Sequence, residues 1–88
     1  FPYTTLFRSD FRNHSAVTQA IKHAMRCRSS WNHLSDAQQE ALDMIAHKIG
    51  RVLAGDPNHD DHWHDIAGYA MLVERQIKEK AKAAKTAG

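Results

Sequence analysis

The sequence predicts an all-α protein of three helices. Apolar residues recur at spacings of three and four in three separate stretches, and those stretches are bounded by helix start and stop residues. No run alternates apolar with polar residues as a half-buried strand would. Eighty-eight residues allow one small domain, which buries only a modest share of its surface.

The elements follow in order. Residues 1–9, FPYTTLFRS, differ from the rest and resemble a translated sequencing-adapter fragment found at the ends of metagenomic contigs. Such a segment carries no selected structure, so the natural chain is expected to begin near Asp10. A short first helix is expected after Ser15 as N-cap, with Val17, Ala20, Ile21 and Ala24 on one face. It ends around CRSSWNH.

The second helix is expected to start at Ser35, where S-x-x-Q with Gln38 is a capping-box signature. Its stripe is Ala41, Leu42, Ile45, Ile49, Val52 and Leu53, and Gly55, Asp56 and Pro57 stop it. On the opposite face the wheel groups Glu40, Asp43, His47 and Arg51. The third helix is expected from Asp60 or Asp61, acidic residues that suit the positive end of a helix dipole. Its stripe is Trp63, Ile66, Ala67, Ala70, Val73 and Ile77, with Trp63 read first as a core tryptophan. The single helical domain is thus expected over residues 10–80, with 81–88 a basic tail that frays.

Three helices with stripes this long form a thin bundle, so part of the apolar surface is expected to be buried in a homo-oligomeric helical bundle. Gly68, costing about 1 kcal/mol inside a helix relative to Ala, is one place where a close approach is expected.

Composition excludes several classes. A net charge of +2 with seven neutral histidines is too balanced for a bulk nucleic-acid partner. No apolar run is long enough to span a membrane. Cys27 is the only cysteine, which rules out an internal disulfide and suggests a reducing, cytoplasmic compartment. Between Arg26 and Arg28 it has no inferable His and acid partners, so it is read as a helix residue without a catalytic role.

The richest stretch is NHDDHWHDIAGYA, which sets His59, Asp60, Asp61, His62, His64 and Asp65 beside Trp63 and Tyr69. The i,i+3 and i,i+4 pairs within it supply at most two ligands to one ion, whereas a catalytic zinc needs three from the protein. No metal is therefore expected. Mg²⁺ enters only with phosphoryl chemistry, through Glu40, Asp43, Asp61 and Asp65, and the first two are expected to face away from the core. Binding without turnover needs cations, an aromatic surface and a carboxylate for a ribose hydroxyl. Lys48, Arg51, Asp61, Trp63, Asp65 and Tyr69 are the candidate ligand-binding residues, expected to line one crevice completed by a second subunit.

Residues 41–75 resemble a small phage and prophage helical family of unknown function, marked by K-[IV]-x-R, a short turn and D-x-W-x-D-I-A-G-Y-A. Here these are Lys48, Ile49 and Arg51, then Asp61, Trp63, Asp65, Ile66, Ala67, Gly68, Tyr69 and Ala70. More distantly the last helix is similar to phage nucleotide-modification-associated domains and to the all-α nucleoside-triphosphate pyrophosphatases. The latter use E-x-x-E and E-x-x-D on facing helices. This chain has no E-x-x-E, and Asp61 stands one position before the Glu that E-x-x-D would need.

The resemblance implies a phage protein in the cytoplasm of an infected bacterium that binds a nucleotide-type small molecule without turnover, one use being to sequester a host immune signal. The alternatives are a helical interaction module or inhibitor of a host defence protein, and a Mg²⁺-dependent nucleotide pyrophosphohydrolase.

Overall fold

The computed structural model describes the backbone of residues 2–87 and the side chains of residues 11–86. Helix α1 spans Pro2–Arg26, a 3-10 turn covers Ser29–His33, α2 spans Asp36–Ala54 and α3 spans Asp60–Ala87. The chain is all-helical, with no strand among the described residues. The side chains of FPYTTLFRS, expected to carry no selected structure, lie outside the described residues.

Two boundaries differ from expectation. Helix α1 is 25 residues long, so Ser15 is not its cap. Instead the Ser15 hydroxyl donates to the Arg12 carbonyl at 3.0 Å, within the helix. No glycine or proline interrupts residues 3–26, so the helix passes through Ser15 unbroken. At the other end α3 continues to Ala87 where a frayed tail was expected. Alanine and lysine, both strong helix formers, make up all of residues 80–85, and Thr86 Oγ1 closes on the Lys82 carbonyl at 2.9 Å.

Other local signals act as read. The Ser35 hydroxyl accepts from the Gln38 backbone N–H at 3.1 Å, and the Gln38 side chain accepts from the Ser35 N–H at 2.9 Å. Both bonds of a capping box are thus made at the start of α2. Beyond Gly55 the chain turns, with the Asn58 N–H donating to Asp56 Oδ1 at 2.9 Å.

The helices lie side by side in an open layer. Helix α1 packs on α2 and α2 packs on α3, with no comparable contact between α1 and α3. Extents of 63 × 29 × 15 Å describe a flat body. Neighbours are antiparallel: Arg26 pairs with Asp43 near the start of α2, while His14 reaches His47 toward its end.

This arrangement overturns where the stripes were expected to point. Asp43 and His47 do not face solvent; both turn toward α1, Asp43 onto Arg26 at 2.7 Å and His47 against the His14 ring at a 4.5 Å centroid separation. The closest crossing is at Gly50, where an added Cβ would collide with Thr18 Oγ1 and lie 2.8 Å from the His14 ring and 3.0 Å from its carbonyl. Only the absence of a side chain allows α1 this near. Gly68, where a close approach was expected, has open space around it within the chain.

Between α2 and α3 sit Lys48 and Asp65, with Ile45, Val52, Ile66, Tyr69 and Val73 half-buried around them. The fully buried apolar residues among those described are Ala41 and Ala46. Leu42, Leu53, Trp63 and Ile77, all placed in apolar stripes, remain exposed. Trp63 is thus not a core tryptophan: it is 55% exposed, and its indole N–H donates to the Pro57 carbonyl at 2.7 Å, tying α3 to the turn before it.

Candidate functional site

At the end of the layer where α2 gives way to α3, the three helices border a cleft of about 340 Å³. Phe11 and His14 come from α1, His47, Arg51 and Ala54 from α2, Gly55 and Asp56 from the turn, and His62 from α3. Close crossing at Gly50 places His14 against His47: the His14 Nε2 lies 3.3 Å from the His47 carbonyl oxygen, and the two rings meet edge to face. Phe11 sits edge-on to His14 at 6.2 Å.

The electrostatics favour the neutral form of two imidazoles, His47 and His62. Burial pushes His47 below the ordinary value of 6.5, and the nearby His14, Arg51, Lys48 and Lys22 push the same way. His62 is lowered first by burial, then by His59, Lys48 and Arg51, with Asp65 opposing. His62 Nδ1 is buried without a hydrogen-bond partner, as is Thr18 Oγ1 on α1. Arg51 is exposed and makes no ion pair among the described residues, so its guanidinium is available at the cleft.

The six residues singled out from sequence do not form one crevice. Lys48 and Asp65 do meet, at 2.8 Å, and Lys48 holds the Asp65 carboxyl below its usual range. That pair therefore satisfies itself. Asp65 and Tyr69 line a shallower groove on α3 with His64, Gly68, Met71, Leu72 and Arg75. Asp61 is exposed, 3.7 Å from His59. Trp63 is held at the turn by Pro57. Of the six, only Arg51 reaches the cleft.

Sequence reading missed Phe11, His14 and His62 as neighbours of Arg51, because they come from α1 and α3 and no local spacing relates them to Arg51 on α2. Cys27, for which no histidine partner was inferred, lies just past the end of α1 with its Sγ 3.3 Å from His23 Nε2, one turn back along the chain. The thiol is exposed, and among the described residues no carboxylate orients the imidazole.

Among the described residues no group of three His, Cys, Asp or Glu side chains is placed to hold a metal ion. The carboxylates considered for Mg²⁺ are dispersed: Asp43 is bound to Arg26, Asp65 to Lys48, Asp61 lies near His59 and Glu40 is exposed. Among the described residues no helix is long and apolar enough to cross a membrane.

Residues 10–77 match a family described as Domain of unknown function (DUF6378). The chain belongs to that family. No curated protein and no solved structure matches it.

Proposed function

We propose that this DUF6378 chain is a binding protein for a small, nucleotide-type anion, which it holds without transforming it. The observation that carries the reading is the exposed guanidinium of Arg51, unpaired among the described residues, at a cleft bordered by His14, His47 and His62. A planar guanidinium presents a fork of donors that matches a phosphate, and imidazoles add donors once the anion raises their proton affinity. Phe11 offers a flat apolar surface to a base, and the Asp56 carboxylate stands at the rim for a sugar hydroxyl. A volume of about 340 Å³ lies at the low end of small-molecule sites.

Turnover is not part of the reading. Metal-assisted phosphoryl transfer needs convergent carboxylates around the ion, and here the candidates lie on separate seams. The resemblance of residues 41–75 to a phage family supports a role in an infected bacterium, where affinity alone would suffice to withdraw a host immune signal. A second reading, a module that docks on a phage or host protein, draws on the exposed Leu53, Trp63 and Ile77.

Calorimetric titration against mono-, di- and cyclic nucleotides is the test. Binding that weakens at least tenfold in Arg51→Ala, with unchanged thermal stability, is the expected result. Equal affinity of that variant and the native protein, or no binding across the panel, would remove the proposal. Release of pyrophosphate with Mg²⁺ would replace it with the enzymatic alternative.

A further inference from the structure

Part of each apolar stripe, including Ile45 and Val52 of α2 and Ile66 and Val73 of α3, fills the seam between α2 and α3, and the rest lines one broad face of the layer. Helix α1 sits beside Gly50 and Asp43 of α2, and α3 beside Lys48, on the opposite side. About a quarter-turn round α2 from either seam lie Leu42, Ile49 and Leu53 on one face and Glu40 and Arg51 on the other. With neighbours antiparallel, the same construction puts Val17, Ile21 and Ala24 of α1 and Trp63, Ala70 and Ile77 of α3 on the Leu42 face. The cleft residues Arg51 and His47 fall on the other. One face is apolar across all three helices, and the reverse face carries the cleft.

We propose that a second copy of this chain covers the apolar face, giving a two-layer, six-helix homodimer with its two clefts facing outward. The area argument selects this occupant. The chain exposes 6914 Å², whereas a compact monomer of its 10.0 kDa mass exposes about 5,200 Å². The excess of about 1,700 Å² falls within the roughly 1,000–2,500 Å² that each subunit of an obligate homodimer buries. The radius of gyration agrees: 16.7 Å against about 12 Å for a compact domain of this length. Part of the excess belongs to the polar end of α3, but the exposed leucines, tryptophan and isoleucine need cover that a single layer does not give. A self-complementary face meets this need by two-fold rotation alone, with no second gene product. Each cleft stays whole within one subunit, so the crevice between subunits expected from sequence is not needed.

The test is independent of any ligand. Light scattering of the ligand-free protein is expected to give about 20 kDa, twice the chain mass. Leu53 and Ile77 are 68% and 54% exposed in the single chain, so the Leu53→Glu/Ile77→Glu variant should keep its helical signal per chain while its mass falls to about 10 kDa. Leu72→Glu, on the reverse side of α3, should remain at about 20 kDa. Carbene footprinting of the unaltered protein is a second readout, which needs no variant to fold: Leu42, Leu53, Trp63 and Ile77 should be protected, and Leu72 labelled. A native mass other than about twice the chain, dissociation by Leu72→Glu but not by the paired variant, or labelling of the four residues as heavy as that of Leu72 would overturn the proposal.

Discussion

Gly50→Ala probes the contact that sets the cleft. The added methyl would meet the buried Thr18 hydroxyl, the His14 ring at 2.8 Å and the His14 carbonyl at 3.0 Å. Two of those obstacles cannot rotate aside cheaply, since one is backbone and the other is a side chain buried in the same seam. Helix α1 must move away from α2. Overpacking of this kind costs about 1–3 kcal/mol, while replacing glycine in a helix interior returns about 1 kcal/mol. The net expectation is a loss between about 0 and 2 kcal/mol, centred near 1, or a fall in Tm of up to roughly 16 °C. Gly68→Ala is the matched control, because its Cβ meets nothing within the chain and should raise stability by up to about 1 kcal/mol.

Urea unfolding followed by circular dichroism, at fixed protein concentration, measures both. Adding Thr18→Ala to Gly50→Ala removes the nearest obstacle and should recover stability beyond the sum of the single changes. If Gly50→Ala is stabilised as much as Gly68→Ala, the close crossing of α1 and α2 is wrong. The placement of His14 against His47 then fails with it.

Two further outcomes follow from the same geometry. His47 and His62 hold protons less readily in the folded chain than the ordinary imidazole value of 6.5, so the unfolded chain takes up protons first on acidification. Stability should therefore fall as pH drops through about 6.5 and level off below the folded values. Asp65, lowered by Lys48, withdraws its contribution only in the acid range beneath 3.8. Urea midpoints that stay constant or rise between about pH 7.5 and 5.5 would contradict this, and His47→Gln should flatten the slope. Trp63→Phe keeps the apolar ring but loses the bond to Pro57, at a cost of about 0.5–1.5 kcal/mol. Hydrogen exchange in residues 55–60 should quicken; an unchanged rate would mean that the indole does not anchor the turn.

Much of the local structure was legible because its causes are local. Ser35 and Gln38 satisfy each other's backbone within one turn of chain, and Gly55, Asp56 and Pro57 end α2 wherever it lies. Lys48 and Asp65 flank a short turn between antiparallel helices, so their meeting was readable from order along the chain. The site was mostly not legible. Its four cationic or titratable imidazole and guanidinium groups come from α1, α2 and α3, and no spacing in the sequence relates His14 to His47 or either to His62.

The sequence by itself determined that there are three helices, where α2 and α3 begin, and which residues form each apolar stripe, since capping and periodicity act within a few residues. Only the tertiary structure decided which way the stripes turn. A stripe names a face but not its partner. The seams are chosen by fit: a glycine that lets α1 close on α2, a histidine pair, and an ion pair between α2 and α3. With those contacts made, the helices lie flat, the stripe residues left outside the seams share one side, and the Arg51 cleft opens on the other.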